Sequence, residues 1–285
     1  MRVDRLRTWA MHERRLLVAT LPVAAFVLVA IFGPWLAPYS SVEVFTRDRL
    51  LPPGAARADG SVEWLGTDRL GRSMVAQVVQ GARVSVLVGT ATVLIAGVVG
   101  TALGLVAGYF GGWSDRILMR LADIQLAFPP IVLAILIVAA LGPSVTNVIL
   151  TLAVTRWVRF ARVVRSATLS IREREHVAGA VALGAGDLRV LWRHVLPLTL
   201  SPALVIATVD FGFVILAEAG LSFLGLGTPQ TIPSWGLTIA QGRDYLVNGW
   251  WISAIPGLAL VLLVTSVGHL GDLVRDRLDP HLRGP

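Results

Sequence analysis

Two carboxylates, Asp210 and Glu218, stand in a stretch that carries no other charge between His194 and Arg243. Acidic groups in such a setting attract a cation or handle a proton. Eight residues apart on a helix, they project about 80° from each other and so lie near one face. Two readings are open for each: a group lining a path for a substrate's ammonium end, or a structural carboxylate, protonated or paired against another helix. Gly220-Leu221-Ser222 together with His269 has the residue types of a serine nucleophile and its base. Asp68, with Arg69 and Arg72, could present charge to a docking partner or a gate, or Asp68 could cap a helix that begins near Leu70. Other chemistry is excluded by what is missing. All 25 basic residues other than histidine are arginines, so there is no phosphate-loop lysine and no Schiff-base lysine. There is no cysteine, and the five histidines form no ligand cluster, so no metal site is expected.

These residues sit among elements of an unusual kind. The chain has 285 residues, 55% hydrophobic and only 15% charged, with a mean hydropathy of +0.71. Charges vanish from 16–42, 84–114, 124–155 and 245–271. Each run supplies the ~20 apolar residues needed to cross a hydrocarbon core of about 30 Å, so the protein is read as integral to a membrane, with lipid as its surroundings. Six spans are expected, at about 16–36, 84–109, 122–141, 145–163, 196–218 and 250–271. The first is read as an uncleaved helix, because Phe32-Gly33-Pro34-Trp35 does not resemble a signal-peptide cleavage site. Gly97, Gly104 and Gly108 include a spacing that lets helix backbones approach closely in lipid. Leu141-Gly142-Pro143-Ser144 divides the third span from the fourth. Pro129-Pro130 frees backbone carbonyls inside the third, for a gate or a kink. Arg156 and Arg159 are expected to snorkel to the headgroups at the inner end of the fourth. With both termini in the cytoplasm, 18 arginines lie inside and 7 outside, which fixes the orientation. The net charge of +7 is thereby assigned to the inner membrane face, with no nucleic acid implied.

Between the fourth and fifth spans lies the largest cytoplasmic piece. Ile171 to Leu183 can form a helix with small residues on one side and Arg172, Glu173 and Arg174 on the other. Gly184 and Gly186 break it, and a short helix from Asp187 to Arg193 leads onward. Such a helix can insert into a groove on a partner or rest on the anionic inner leaflet.

The segment resembles the EAA loop of binding-protein-dependent ABC importer permeases. Ala178-Gly179-Ala180 is followed after three residues by Gly184, and after nine more by His194 with Leu196-Pro197. The spacing matches throughout, although Ala178 stands where the family often has Glu and Gly179 where it has Ala. Two further stretches resemble the dipeptide/oligopeptide/nickel permeases: Trp64 to Ser73 with Gly81-Ala82-Arg83, and Leu216 to Gly227 with Pro233-Ser234-Trp235-Gly236. The ending from Gly271 to Pro280 fits as well.

The resemblance implies an all-α, six-helix type I ABC importer transmembrane domain in the bacterial cell membrane, N-in and C-in, of the second-permease type. It implies a cytoplasmic N-terminus (1–15), a first helix (16–36) and an extracytoplasmic segment (37–82). A five-helix core (83–272) carries a coupling loop at about 164–195, and a cytoplasmic C-terminus (273–285) follows. Glu175, Ala178, Gly179, Ala180, Gly184, His194, Leu196 and Pro197 are the implied ATPase-coupling residues. The implied partners are a paralogous permease, two ATP-binding subunits holding ATP and Mg, and an extracytoplasmic solute-binding protein. No cofactor is expected on this chain, and no enzymatic activity. The solute is a di- or oligopeptide or a related small molecule. A proton-coupled carrier using Asp210 and Glu218 is the alternative, and an intramembrane serine protease a remote one, because Ser222 falls at the outer mouth and His269 near the inner end.

Overall fold

Backbone amides in hydrocarbon have no water to bond, so apolar segments must satisfy their hydrogen bonds within helices. The computed structural model describes residues 20–33, 35 and 43–278, and it is accordingly almost all helix. The expected N-terminal segment 1–15, the start of the first span and the residues after 278 lie outside the described residues. In chain order the helices are α1 (Thr20–Gly33), α2 (Met74–Phe110), α3 (Gly112–Leu126), α4 (Pro130–Leu141) and α5 (Val145–Arg172). They continue as α6 (Glu175–Ala182), α7 (Asp187–Val190), α8 (Leu196–Phe223), α9 (Trp235–Gly242) and α10 (Trp251–Leu278). Strands β1 (Ala55–Ala56) and β2 (Val62–Glu63) form a small antiparallel hairpin in the segment before α2.

Three helices are long and apolar enough to cross a membrane alone: α2, the continuous run from α7 through α8, and α10. The pair α3–α4, bent by 86°, makes a fourth passage, while α1 is a shorter apolar helix. α5 has the length to span but carries Arg156, Arg159, Arg162 and Arg165 along it. Packing fixes the directions. Gly97 of α2 lies against Phe160 of α5, Gly100 against Trp157 and Ala161, Gly104 against Ala161 and Val164, and Gly108 against Arg165 and Thr168. Numbers rise together on the two helices, so α2 and α5 run parallel and α3–α4 must return the chain between them. α8 runs back along α5: Val148 and Leu152 share a core with Val214 and Leu221, and Phe160 packs with Ile206 and Ala207. α10 descends beside α8, with Gly212 near Val264 and Gly271 near Thr208. This up-and-down order is that of the six-pass reading, although the six passages are not six equal straight helices.

The differences from expectation have local causes. α2 starts at Met74, ten residues ahead of the charge-free run, because loss of charge marks the hydrocarbon and not the end of hydrogen bonding. The third passage is not one helix over 122–141. Pro129 sits at φ −57° and ψ 126°, and the residue before a proline is held out of the helical region. Pro130 then opens α4 at its first turn, where its missing N–H costs nothing. α5 continues past 163 to Arg172, so Ile171 and Arg172 belong to it and the next helix starts only at Glu175. The short helix expected over Asp187–Arg193 is four residues of α7 followed by a π turn, Leu191–Val195, that runs into α8. Pro197 would otherwise clash one turn back at Arg193, and the wider turn, in which the Leu196 N–H reaches the Leu191 carbonyl, relieves it.

Candidate coupling and translocation sites

The candidate coupling site is a helix–glycine–helix built on the ends of three spans. α6 ends in a left-handed glycine: Gly184 has φ +84°, its N–H bonds the Val181 carbonyl, and the Ala185 N–H bonds that of Ala180. That pair of bonds is the Schellman termination, which a residue with a Cβ adopts only under strain. One side of the unit is fixed to the bundle. Val177, Val190, Leu191 and Val195 close a core with Ile171, Leu105 and Tyr109. Tyr109 at the end of α2 donates its hydroxyl to Asp187 (2.9 Å), and Arg172 donates to the terminal α2 carbonyls of Gly108 (3.0 Å) and Tyr109 (3.3 Å). The other side is bare. Leu183 is 91% exposed and Leu188 72%, and Ala178, Gly179 and Gly184 are open as well, with nothing within 4 Å of a Cβ placed at either glycine. Glu175 is exposed in the first turn of α6, Ala180 and His194 are half-buried, and Leu196-Pro197 begin α8. An apolar ledge of this kind, rigid beneath and naked above, can receive a groove on a partner.

The segment before α2 is a polar knot. Asp68 accepts bonds from the Leu70 and Arg72 amides (2.8 and 2.9 Å), from Arg72 Nε (2.7 Å) and from Gln77 Nε2 (3.0 Å). Arg72 also donates to Gln241 in the last turn of α9 (2.8 Å). Asp68 therefore does not cap α2, which begins at Met74 with Ser73 at its cap position. Both Asp68 and Arg72 are buried, so neither charge is presented to a docking partner in this arrangement, while Arg69 is half-buried and its carbonyl accepts from Arg49 (2.7 Å). The separated motifs meet here. Trp235 is fully buried, bonds the Val78 carbonyl (2.9 Å) and lies across Gly81, while the Trp251 indole bonds the Thr67 carbonyl (2.9 Å). Gly236 lies against the backbone of Ala219 too closely for a side chain.

Asp210 and Glu218 are both buried within α8's inward face. Glu218 accepts from Ser222 Oγ (2.7 Å), which in turn accepts from the Thr228 amide (3.2 Å). Ser222 is thus bonded to an acid and a loop amide, while His269 is exposed on α10. Asp210 meets Arg159 Nη1 at 2.6 Å and Arg156 Nη1 at 3.7 Å. The two arginines expected to snorkel are turned instead toward this buried carboxylate on α8. Among the described residues no cluster of histidine and acidic groups suited to a metal occurs.

The family model of the binding-protein-dependent transport system inner membrane component matches residues 100–284, a span that contains the ledge and both carboxylates. The chain belongs to this family. A model of the N-terminal membrane domain of oligopeptide transport permease C matches residues 14–53 of this inner membrane component. The di/tripeptide transport system permease protein DppC of Pseudomonas aeruginosa is 39% identical over 273 residues, 95% of this chain and 90% of that protein. The glutathione transport system permease protein GsiD of Escherichia coli is 39% identical over 288 residues, 99% of this chain and 93% of that one. Among solved structures, an inward-facing MetNI methionine ABC transporter chain superposes with a TM-score of 0.58 at 20% identity, covering 72% of this chain and 98% of that one. An amino acid ABC transporter crystallised with histidines does so at 0.54 and 16%, covering 70% and 94%. The permease is a multi-pass protein of the bacterial inner membrane with the type I fold, and its family is a non-enzymatic membrane component.

Sequence reading missed three features of the permease. The Tyr109–Asp187 bond joins elements 78 residues apart, and no spacing announces it. The Arg172 clamp on α2 was hidden because Arg172 was read as part of the polar face of the coupling helix. The Asp210–arginine cluster did leave a signal: four arginines at i, i+3 spacing on α5, facing Asp115, Asp123 and Asp210 on neighbouring helices.

Proposed function

We propose that this permease is one of two membrane-spanning subunits of an importer for di- or oligopeptides or a related small solute, powered by ATP hydrolysed on separate subunits. A paralogous permease completes the pathway, two ATP-binding subunits hold the ATP and Mg, one of them docked on α6–α7, and an extracytoplasmic binding protein delivers the solute. The observation that carries this reading is the ledge: its exposed apolar side has no partner among the described residues, and its buried side packs on α2 and α5, is bonded to α2 through Asp187, and runs through the π turn into α8. A displacement of α6–α7 by closing ATPases would pass through Asp187–Tyr109 and Arg172–Gly108 into α2 and α5, and through the π turn into α8. Substrate class is supported by the solutes for which the relatives are named, dipeptides, tripeptides and glutathione.

Reconstitution tests it. The permease alone in proteoliposomes is expected to bind no nucleotide and move no solute. Added paralogue, ATPases and binding protein should give ATP-dependent dipeptide uptake stimulated by that binding protein. Uptake by the single chain driven by a proton gradient would instead establish a secondary carrier.

A further inference from the structure

Two guanidiniums face one carboxylate near the middle of α8, about 20 Å along the helix from either end at 1.5 Å per residue. Further along α5, Arg162 pairs with Asp123 (2.5 Å) and Arg165 with Asp115, while Arg172 donates to the α2 carbonyls of Gly108 and Tyr109. The surplus positive charge is therefore local to Arg156, Arg159 and Asp210. Several valences there are open. Arg159 uses only Nη1 on Asp210, its Nε and Nη2 bond no described residue, and its side chain is 46% exposed. Behind it Arg156 Nε and Asp210 Oδ2 are buried and make no hydrogen bond among the described residues. Phe213 lies beside both cations, its ring centre 5.4 Å from Arg159 and 5.6 Å from Arg156. A half-exposed guanidinium at this depth is costly against lipid tails, so this face of α5 and α8 borders water or the second subunit.

We propose that Arg159, backed by Arg156 and steadied by Asp210 and Phe213, forms an anion subsite on the translocation path that takes the free carboxylate of a peptide in transit. The proposal rests on the transport reading and deepens it. The free Nε–Nη2 edge of Arg159 is the side of the fork that matches two carboxylate oxygens. Dipeptides, tripeptides and glutathione, the solutes for which the relatives are named, each carry at least one such group. Asp210 competes for the same guanidinium, which keeps the hold on the solute weak enough to release it, as passage through a membrane requires.

The test uses the complete complex with its binding protein in proteoliposomes and a mixture of unmodified dipeptides as substrate. Arg159→Gln should lower ATP-driven uptake roughly tenfold or more, the loss of a charged hydrogen-bonded pair, while ATP turnover stimulated by the binding protein persists. Arg159→Lys, which keeps the charge and loses the fork, should be intermediate. Arg159→Gln leaves Asp210 facing the single charge of Arg156, so the complex should assemble normally on size exclusion and still import poorly. Full uptake in Arg159→Gln or Arg159→Lys overturns the subsite. A wild-type complex that turns over ATP yet imports no dipeptide also overturns it, whereas one without stimulated ATP turnover overturns the transport reading itself.

Discussion

Gly104→Leu is expected to abolish recovery of folded protein from the membrane. A Cβ at Gly104 would stand 2.5 Å from the Ala161 carbonyl oxygen and 3.0 Å from Val164 Cβ, so the obstacle is largely backbone and cannot rotate away. Leucine would have to force α2 from α5. The neighbouring rungs would resist, because Gly100 and Gly108 are equally closed by Trp157, Phe160, Arg165 and Thr168. Overpacking an ordinary core costs about 1–3 kcal/mol, and a backbone obstacle places this variant at the upper end or beyond. No hydrophobic gain offsets the separation in lipid, where helix association rests on close packing. Gly97→Ala is the matched control: its nearest neighbour is the Phe160 ring edge at 3.4 Å, an ordinary contact, and the variant should behave as wild type. Heating detergent extracts and following the monodisperse peak on size exclusion measures both.

Gly184→Trp is expected to leave membrane insertion intact and to reduce ATP-driven uptake roughly tenfold or more. The first half follows from space: nothing lies within 4 Å of a Cβ at Gly184, and the residue is on the exposed side of the ledge. The second half has two physical sources. A side chain at φ +84° costs about 1–2 kcal/mol, which loosens the Schellman termination and moves α7 relative to α6. The indole adds bulk where the ATPase groove would close, and 1.4 kcal/mol alone is about tenfold in docking. Gly184→Ala keeps the strain without the bulk and should fall between. Proteoliposome uptake and substrate-stimulated ATP turnover are the readouts; normal stimulated turnover in Gly184→Trp contradicts coupling through this element.

The membrane class and the place of the helix–glycine–helix were legible because they follow from local rules. Charge-free runs need no tertiary information, and Gly184 signals a helix end wherever it stands. What escaped was set by partners far away in sequence. Pro129-Pro130 signals a break, but whether the break is a kink or an 86° bend depends on what α4 meets, which is Val148 and Leu152 of α5. Arg156 and Arg159 look like inner-leaflet anchors on their own helix. Only Asp210, 51 residues beyond Arg159, turns them inward. Asp68 reads as a helix cap from spacing, yet its carboxylate is claimed by Arg72 and Gln77 in a fold that the sequence alone does not close.

The absence of cysteine makes one labelling experiment clean. Leu183→Cys places a single thiol at the most open point of the ledge. Cytoplasmic coupling predicts that a membrane-impermeant maleimide labels it in inside-out vesicles and not in right-side-out ones, and that bound ATPase subunits suppress the labelling. Labelling from the outer face would put the ledge out of reach of any cytoplasmic ATPase and contradict the proposed function.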